Sequence, residues 1–222
     1  MSTPGNIQQQ PDVVHEQTRS SLGSIGRRLG LFGGPIGAAI AMWFHPHAGE
    51  NVYESLSPVV DTFVVIHLLL FASLALLAVG LYLLTAGYRG PLATLARVGT
   101  GVFTFFYLGF VAIVGIAKGL LIREGQALPA EQQAGVAEVV QSIHTDPILF
   151  AAGVTGAVGY LVAVSAVAVV LYRADAPRLP LVLLVGSVVA IGVHQGPMAV
   201  AGMASVAVAV GWLKFGWHPS DG

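Results

Sequence analysis

Apolar residues form long blocks along most of the chain, and short polar segments separate these blocks. One block, residues 62–86, reads TFVVIHLLLFASLALLAVGLYLLTA and contains no formally charged residue. A helix needs about 20 apolar residues to cross the hydrocarbon core of a bilayer, which is about 30 Å thick. Because backbone polar groups inside lipid must be satisfied within their own segment, this block predicts a transmembrane α-helix.

The other blocks extend this pattern to an all-α integral membrane protein, a six-helix transmembrane bundle. The predicted spans cover about residues 29–45, 62–86, 98–121, 147–172, 180–194 and 198–214. The last two spans share one apolar stretch, which we divide at the HQGP sequence of residues 194–197 because Gly-Pro favours a turn. A single kinked helix is the alternative for this stretch.

Polar segments flank and connect the spans. Residues 1–28 and 217–222 are predicted as tails outside the membrane domain of residues 29–216, and residues 89–97 as a short loop. The loop of residues 123–146 contains four apolar residues at helical spacing: Val136, Val139, Val140 and Ile143. This spacing predicts an amphipathic helix that lies on the membrane surface.

Composition agrees with this assignment and limits the partners. The chain is 55% hydrophobic and 9% charged, whereas soluble domains carry about 25% charged residues. The lipid bilayer is therefore the first predicted partner, and a homo-oligomer or a membrane complex stays open. The net charge of −1 predicts no nucleic-acid partner. The absence of cysteine excludes disulfides, iron–sulfur clusters and thiolate zinc sites.

Basic residues predict the orientation of the bundle. With six spans and the N-terminus inside, eight of the ten lysines and arginines fall on the inner side. The positive-inside rule then predicts a multi-pass protein of the cytoplasmic membrane with both termini in the cytoplasm. The inner set is Arg19, Arg27, Arg28, Arg89, Arg97, Arg173, Arg178 and Lys214, and the outer set is Lys118 and Arg123.

Histidines gather at the predicted outer side. Helical rise places His67 about 9 Å below the start of the second span. It places His45 and His194 within about 6–9 Å of the outer edge on the first and fifth spans. Three imidazoles from three helices would therefore share one depth. The adjoining helix ends and loops add His47, His144 and Asp61.

Imidazoles at this depth predict a site for haem b or a transition-metal ion. The expected principal ligands are His67 and His194, with His45 as the third. His47, His144 and Asp61 are the expected supporting ligands or hydrogen-bond acceptors. In the structural alternative, His67 and His194 only form hydrogen bonds across helix contacts.

Lys118 is the predicted cation of this site, where, with Arg123, it would neutralise a haem propionate or an anionic substrate. The alternative is a lysine that snorkels to the membrane interface. The aromatic residues of the third span are expected to serve in packing, and the Gly115-x-x-x-Gly119 spacing predicts a helix-contact surface.

The sequence contains no Walker-type loop, G-x-S-x-G or H-E-x-x-H motif, so whether the protein is an enzyme stays open. The specific hypothesis is a small redox or metal-handling protein with an outer-side histidine site. The alternative is a non-enzymatic membrane component, either a transporter of a small neutral solute or an accessory subunit, with structural histidines. Since all acidic residues lie outside the predicted span cores, a cation transporter that uses buried carboxylates is disfavoured.

Overall fold

The computed structural model describes residues 24–193 and 195–217, and over these residues the chain is helical without strands. The tail residues 1–23 and 218–222 lie outside the described residues, as does His194. Residues 24–28, predicted as the end of the tail, are helical.

We name the helices in chain order. Helix α1 covers residues 24–43 and includes a π-helical turn, Leu29–Gly33, before its regular part, Gly34–Trp43. The others are α2 (Val52–Leu56), α3 (Val60–Thr85), α4 (Pro91–Gly125), α5 (Ala130–Thr145), α6 (Pro147–Tyr172), α7 (Arg178–Gly186), α8 (Val188–Val193) and α9 (Gly196–Phe215). A 3₁₀ turn, Ser57–Val59, joins α2 to α3.

Four helical stretches of the described chain are long and apolar enough to cross a membrane. They are Val52–Thr85, Pro91–Gly125, Ala130–Tyr172 and Gly196–Phe215, and Arg178–Val193 is a shorter apolar stretch. Large apolar side chains also cover the outside, and Phe105 and Ile148 are each 77% exposed. Such a surface is stable against lipid rather than water. These are the features of a multi-pass membrane protein.

The structure corrects the predicted loop between the second and third spans. Helix α4 begins at Pro91, so most of residues 89–97 is helical. Proline suits the first helical position because its fixed φ is helical and its missing N–H is not needed there. Gly90, at a φ of 102°, makes the preceding turn. Ala93 and Ala96 are almost fully buried, so this first part of α4 is held by packing against α6.

The apolar stretch that contains HQGP forms three helices, α7 and α8 before this sequence and α9 after it. Helix α8 ends at Val193 and α9 begins at Gly196, which has a φ of 78°. Glycine adopts this left-handed conformation without the steric cost that a side chain would add. Gly202 of α9 packs directly on Ala190 of α8. The chain therefore reverses here, and a single kinked helix is excluded.

The helices pack as a bundle in which α3 contacts several neighbours. Helix α3 contacts α1, α4 and α6; α1 also packs on α9, α9 on α7 and α8, and α7 on α6. Glycines allow the closest approach, because Gly34 of α1 lies against the backbone of Leu77 in α3 and Gly80 lies against Gly30. This contact fixes α1 on α3, and so fixes the end of α1 beside the start of α3.

The long loop contains α5, which packs on the bundle through one face. Val140 is fully buried in a small apolar cluster with Tyr53 and Ile122, and Val136 packs against that cluster. Val139, by contrast, is 51% exposed. The position of α5 on the membrane surface stays a prediction.

We expect Gly34→Ala to lower the free energy of unfolding by about 1–3 kcal/mol, the usual cost of overpacking a tight core. The added methyl group would meet the backbone of Leu77, which cannot move aside as a flexible side chain can. The measurement is unfolding of the detergent-purified protein by sodium dodecyl sulfate, followed by circular dichroism. Gly26→Ala on the same helix is the control, since among the described residues no atom outside its own helix backbone and chain neighbours lies within 4 Å of the added methyl group. Equal stability of the two variants would contradict the assigned helix contact.

Candidate functional site

Two histidines from different helices meet at one end of the bundle. His45 lies just after α1 and His67 lies near the start of α3. Both side chains are buried, with exposed fractions of 7% and 5%. Their Nε2 atoms are 3.2 Å apart. Two of the three histidines for which the sequence predicts one depth are therefore in contact.

A backbone carbonyl fixes the tautomer of His67. The Nδ1 atom of His67 lies 2.7 Å from the carbonyl oxygen of Phe63, one helical turn earlier. A carbonyl oxygen only accepts hydrogen bonds, so Nδ1 carries the hydrogen. In the neutral ring the lone pair is then on Nε2, which lies next to Nε2 of His45. His67 therefore presents an acceptor, or a metal ligand, toward His45.

Helix α4 makes room for the His67 ring. Gly115 lies directly against the ring, and a side-chain carbon at this position would collide with ring atom Cδ2 of His67. Gly119 packs in the same way against Phe63 and Val64. Gly115 belongs to a π-helical segment, Val111–Ala117, and such segments often occur at functional sites. The predicted glycine surface thus contacts the histidine itself.

A second polar pair lies near the first. Lys118 of α4 is only 2% exposed, and its Nζ lies 3.4 Å from Nδ1 of His144 in α5. Because an ammonium group only donates, Nδ1 of His144 is the acceptor. The Lys118 Nζ also lies 5.5 Å from the ring centroid of Phe63. The ammonium group is therefore enclosed between α3, α4 and α5.

Both pairs line the same cavity, whose volume is about 510 Å³. This volume falls within the range of about 300–1,000 Å³ that is typical of small-molecule sites. Tyr107 and Phe110 of α4, Phe150 of α6 and Ile191 of α8 contribute apolar and aromatic wall. The hydroxyl of buried Tyr107 donates to the carbonyl oxygen of Ile191 at 2.8 Å, which ties α8 to α4 beside the cavity. No aspartate or glutamate is among the described residues that line it.

Three other residues of the predicted site do not line this cavity. His47 and Asp61 are exposed and do not line the cavity. Arg123 pairs with Glu124 at 3.3 Å on the surface, so it does not join Lys118. His194 lies outside the described residues, although its chain neighbour Gln195 lines the cavity.

Several residues of the site were not predicted from the sequence. The carbonyl of Phe63 and the small size of Gly115 both act on His67, and neither is visible as a chemical motif. Tyr107 and Phe110 belong to the aromatic group that was expected only to pack, yet they line the cavity. Spacing along the helix is the signal that could have identified Phe63, because Phe63 lies four residues before His67 and so shares its helix face.

The described residues supply two imidazoles in contact, but no larger ligand set. Within residues 24–193 and 195–217, no three histidine, aspartate or glutamate side chains are grouped as a metal site. Comparison with protein-family models, curated proteins and solved structures finds no significant match to this chain. The functional proposal therefore depends on the geometry of the site alone.

Proposed function

We propose that the protein binds a transition-metal ion at the His45–His67 pair and acts in a redox or metal-handling role. The observation that carries the proposal is the 3.2 Å separation of the two Nε2 atoms, with the lone pair of His67 already directed to that contact. Metal–nitrogen bonds of about 2.0–2.1 Å at a tetrahedral angle place two ligand nitrogens about 3.3 Å apart. A metal ion can thus take the place of the proton shared by the two rings.

The same geometry disfavours haem b held between these rings. Two axial imidazoles stand on opposite faces of the iron, so their nitrogens are about 4 Å apart and their ring centroids about 6 Å apart. The rings of His45 and His67 have centroids 4.7 Å apart and an interplanar angle of 67°. No macrocycle fits between them, so the pair suits adjacent ligands on one small ion.

A complete site needs more than two ligands, and His194 is the proposed third. Nitrogen ligation of this kind suits zinc, copper, iron or manganese. The Phe63 carbonyl would act as the outer partner that orients His67 and raises its basicity as a ligand. An open position facing the cavity would then be available to water or a substrate.

To test this, the protein is purified in nanodiscs from cells supplied with haem and with transition metals, and its metal content and absorption spectrum are measured. We expect about one metal ion per chain and no Soret band, since the rings suit a small ion and leave no space for a porphyrin. Protein that stays metal-free under these conditions would overturn the proposal. That result would leave the transporter or accessory-subunit alternative. A Soret band that disappears in a His67→Ala variant would restore the haem hypothesis.

We also propose the six-span topology, with both termini in the cytoplasm and α5 on the outer surface of the cytoplasmic membrane. Two observations support it. Residues 24–43 form one helix, about 30 Å long at 1.5 Å per residue. Arg89, Arg173 and Lys214 lie at the ends of α3, α6 and α9 that are opposite to the histidine pairs.

Reporter fusions test the topology. A reporter fused after Gly222 and one inserted near Gln132 should report opposite sides of the membrane, because three further spans separate the two positions in the six-span arrangement. Alkaline phosphatase and green fluorescent protein give complementary signals on the two sides. Signals from the same side would overturn the six-span count, and an inverted pattern would overturn the orientation.

A further inference from the structure

Lys118 is a buried cation for which the described residues provide no buried counter-charge. Its side chain is 2% exposed. Among residues 24–193 and 195–217, the ion pair that forms is Arg123–Glu124, on the surface, and no carboxylate pairs with Lys118. Burial of an ammonium group without compensation is costly, particularly at membrane depth. An opposite charge from outside the chain would offset this cost.

The ammonium group also has unused hydrogen-bond donors. A lysine has three N–H donors, and His144 accepts one of them across 3.4 Å, a long contact. The Phe63 ring adds an attraction to its π face at 5.5 Å. In the described part of the chain, no oxygen atom accepts a hydrogen bond from the Lys118 side chain. Two donors therefore remain for a ligand in the cavity that Lys118 lines.

The rest of the cavity indicates what such a ligand looks like. Apart from the polar end, the walls are apolar or aromatic, and they include Phe110, Val114, Phe150 and Ile191. A volume of about 510 Å³ greatly exceeds what a metal ion needs. One ammonium group can pair with one negatively charged group on a ligand, and the apolar walls can enclose the apolar part of that ligand.

We propose that this cavity is a binding site for organic acids, in which Lys118 binds the carboxylate and the aromatic and aliphatic walls enclose the apolar body. Such an acid reaches the site either from aqueous solution, as an aromatic acid would, or from the membrane, as a fatty acid would. The site stands whether or not the histidine pair holds a metal ion. Lys118 is the specificity-determining residue because it separates charged ligands from neutral ligands of the same shape.

The test compares two ligands of nearly equal shape, 2-naphthoate and its neutral amide 2-naphthamide. Binding is measured by calorimetry on the full chain in phosphatidylcholine nanodiscs, with empty nanodiscs as the blank. Hydrogen bonds to a charged group contribute about 1.5–3 kcal/mol, so 2-naphthoate should bind at least about tenfold more tightly. In Lys118→Met this preference should disappear, while binding of the amide changes less than about twofold.

The control is Lys214→Met, which changes the other lysine of the chain, an exposed residue near the end of α9. This variant should keep the full preference for the carboxylate. Equal affinity of the wild type for the two ligands would overturn the proposal. An undiminished preference in folded Lys118→Met would also overturn it.

A second variant covers the case in which Lys118→Met fails to fold. Val154 lines the cavity at a partly exposed position, so Val154→Trp should narrow the cavity without disturbing the core. This substitution should lower the affinity for both ligands at least about tenfold, because the indole side chain occupies the space in which they bind. Unchanged binding of both ligands in this variant would overturn the assignment of the cavity.

Two further measurements identify the source of the ligand and test the organic-acid proposal independently of the metal proposal. Oleate added to the nanodisc lipids should displace 2-naphthoate if the acid enters from the membrane, and should leave it bound if the site is restricted to soluble acids. Metal content is measured on the same wild-type samples. Charge-dependent ligand binding by metal-free protein would uphold this inference while overturning the metal proposal.

Discussion

His67→Ala is expected to lower the affinity for the bound metal ion by at least about 100-fold, because it removes the ligand whose lone pair is already fixed toward His45. His45 alone would then provide one imidazole, which holds a metal ion weakly. Competition between the protein in nanodiscs and a chelator of known affinity measures the effect. His45→Ala should give a similar loss, since the two Nε2 atoms form one contact.

The matched control is His47→Ala. It removes the same kind of side chain from a position two residues beyond His45, but His47 is exposed and does not line the cavity. Its metal affinity should therefore equal that of the wild type. An equal loss in both variants would mean that the metal is bound by exposed histidines, and no loss in either would remove the His45–His67 pair from the site.

The sequence predicts those parts of the fold that hydrophobicity determines. Residues 62–86 were predicted as a span and α3 covers Val60–Thr85, because a bilayer requires a long apolar helix with internal hydrogen bonds. The start of α4 at Pro91 was not predictable in this way. Arg89, Gly90 and Arg97 gave that segment the composition of a loop, whereas burial of Ala93 and Ala96 against α6 makes it helical. Tertiary packing therefore decided the boundary.

The sequence predicts how far along its helix each site residue lies, but not the direction in which its side chain points. A constant rise of 1.5 Å per residue predicts one level for His45 and His67, and in the structure their Nε2 atoms lie 3.2 Å apart. Rise does not specify the rotation of a side chain about its helix axis. Asp61 stands six residues before His67, which places the two side chains about 120° apart around the helix axis, and Asp61 is exposed. His47 likewise points outside the cavity, in a segment without helical structure.

The environment of Lys118 was the least predictable part of the site. A lysine close to the end of a predicted span usually extends to the interface, and its sequence position fits that behaviour. The direction of the Lys118 side chain depends on α5, since Nδ1 of His144 accepts a hydrogen bond from its ammonium group. That contact joins residues from α4 and α5, and no local pattern in either helix reports it.

Gly115→Ala is expected to weaken metal binding at least about tenfold although it removes no ligand, which is the size of effect seen when an outer partner of a metal ligand is lost. The added methyl group would occupy space now filled by the His67 ring. The ring would have to rotate, which breaks its 2.7 Å hydrogen bond to the Phe63 carbonyl and moves Nε2 away from His45. Stability should also fall by about 1–3 kcal/mol from overpacking.

Gly109→Ala on the same helix separates this effect from a general change in α4. In the described part of the chain, no atom outside its own helix backbone and chain neighbours lies within 4 Å of the added methyl group, and alanine is a better helix former than glycine, so stability should stay equal or rise. Chelator competition and thermal unfolding in nanodiscs measure both quantities. Unchanged metal affinity in Gly115→Ala would mean that the position of the His67 ring does not matter for binding. A selective loss would instead tie metal binding to the placement of that ring, because the number of histidines is the same in both variants.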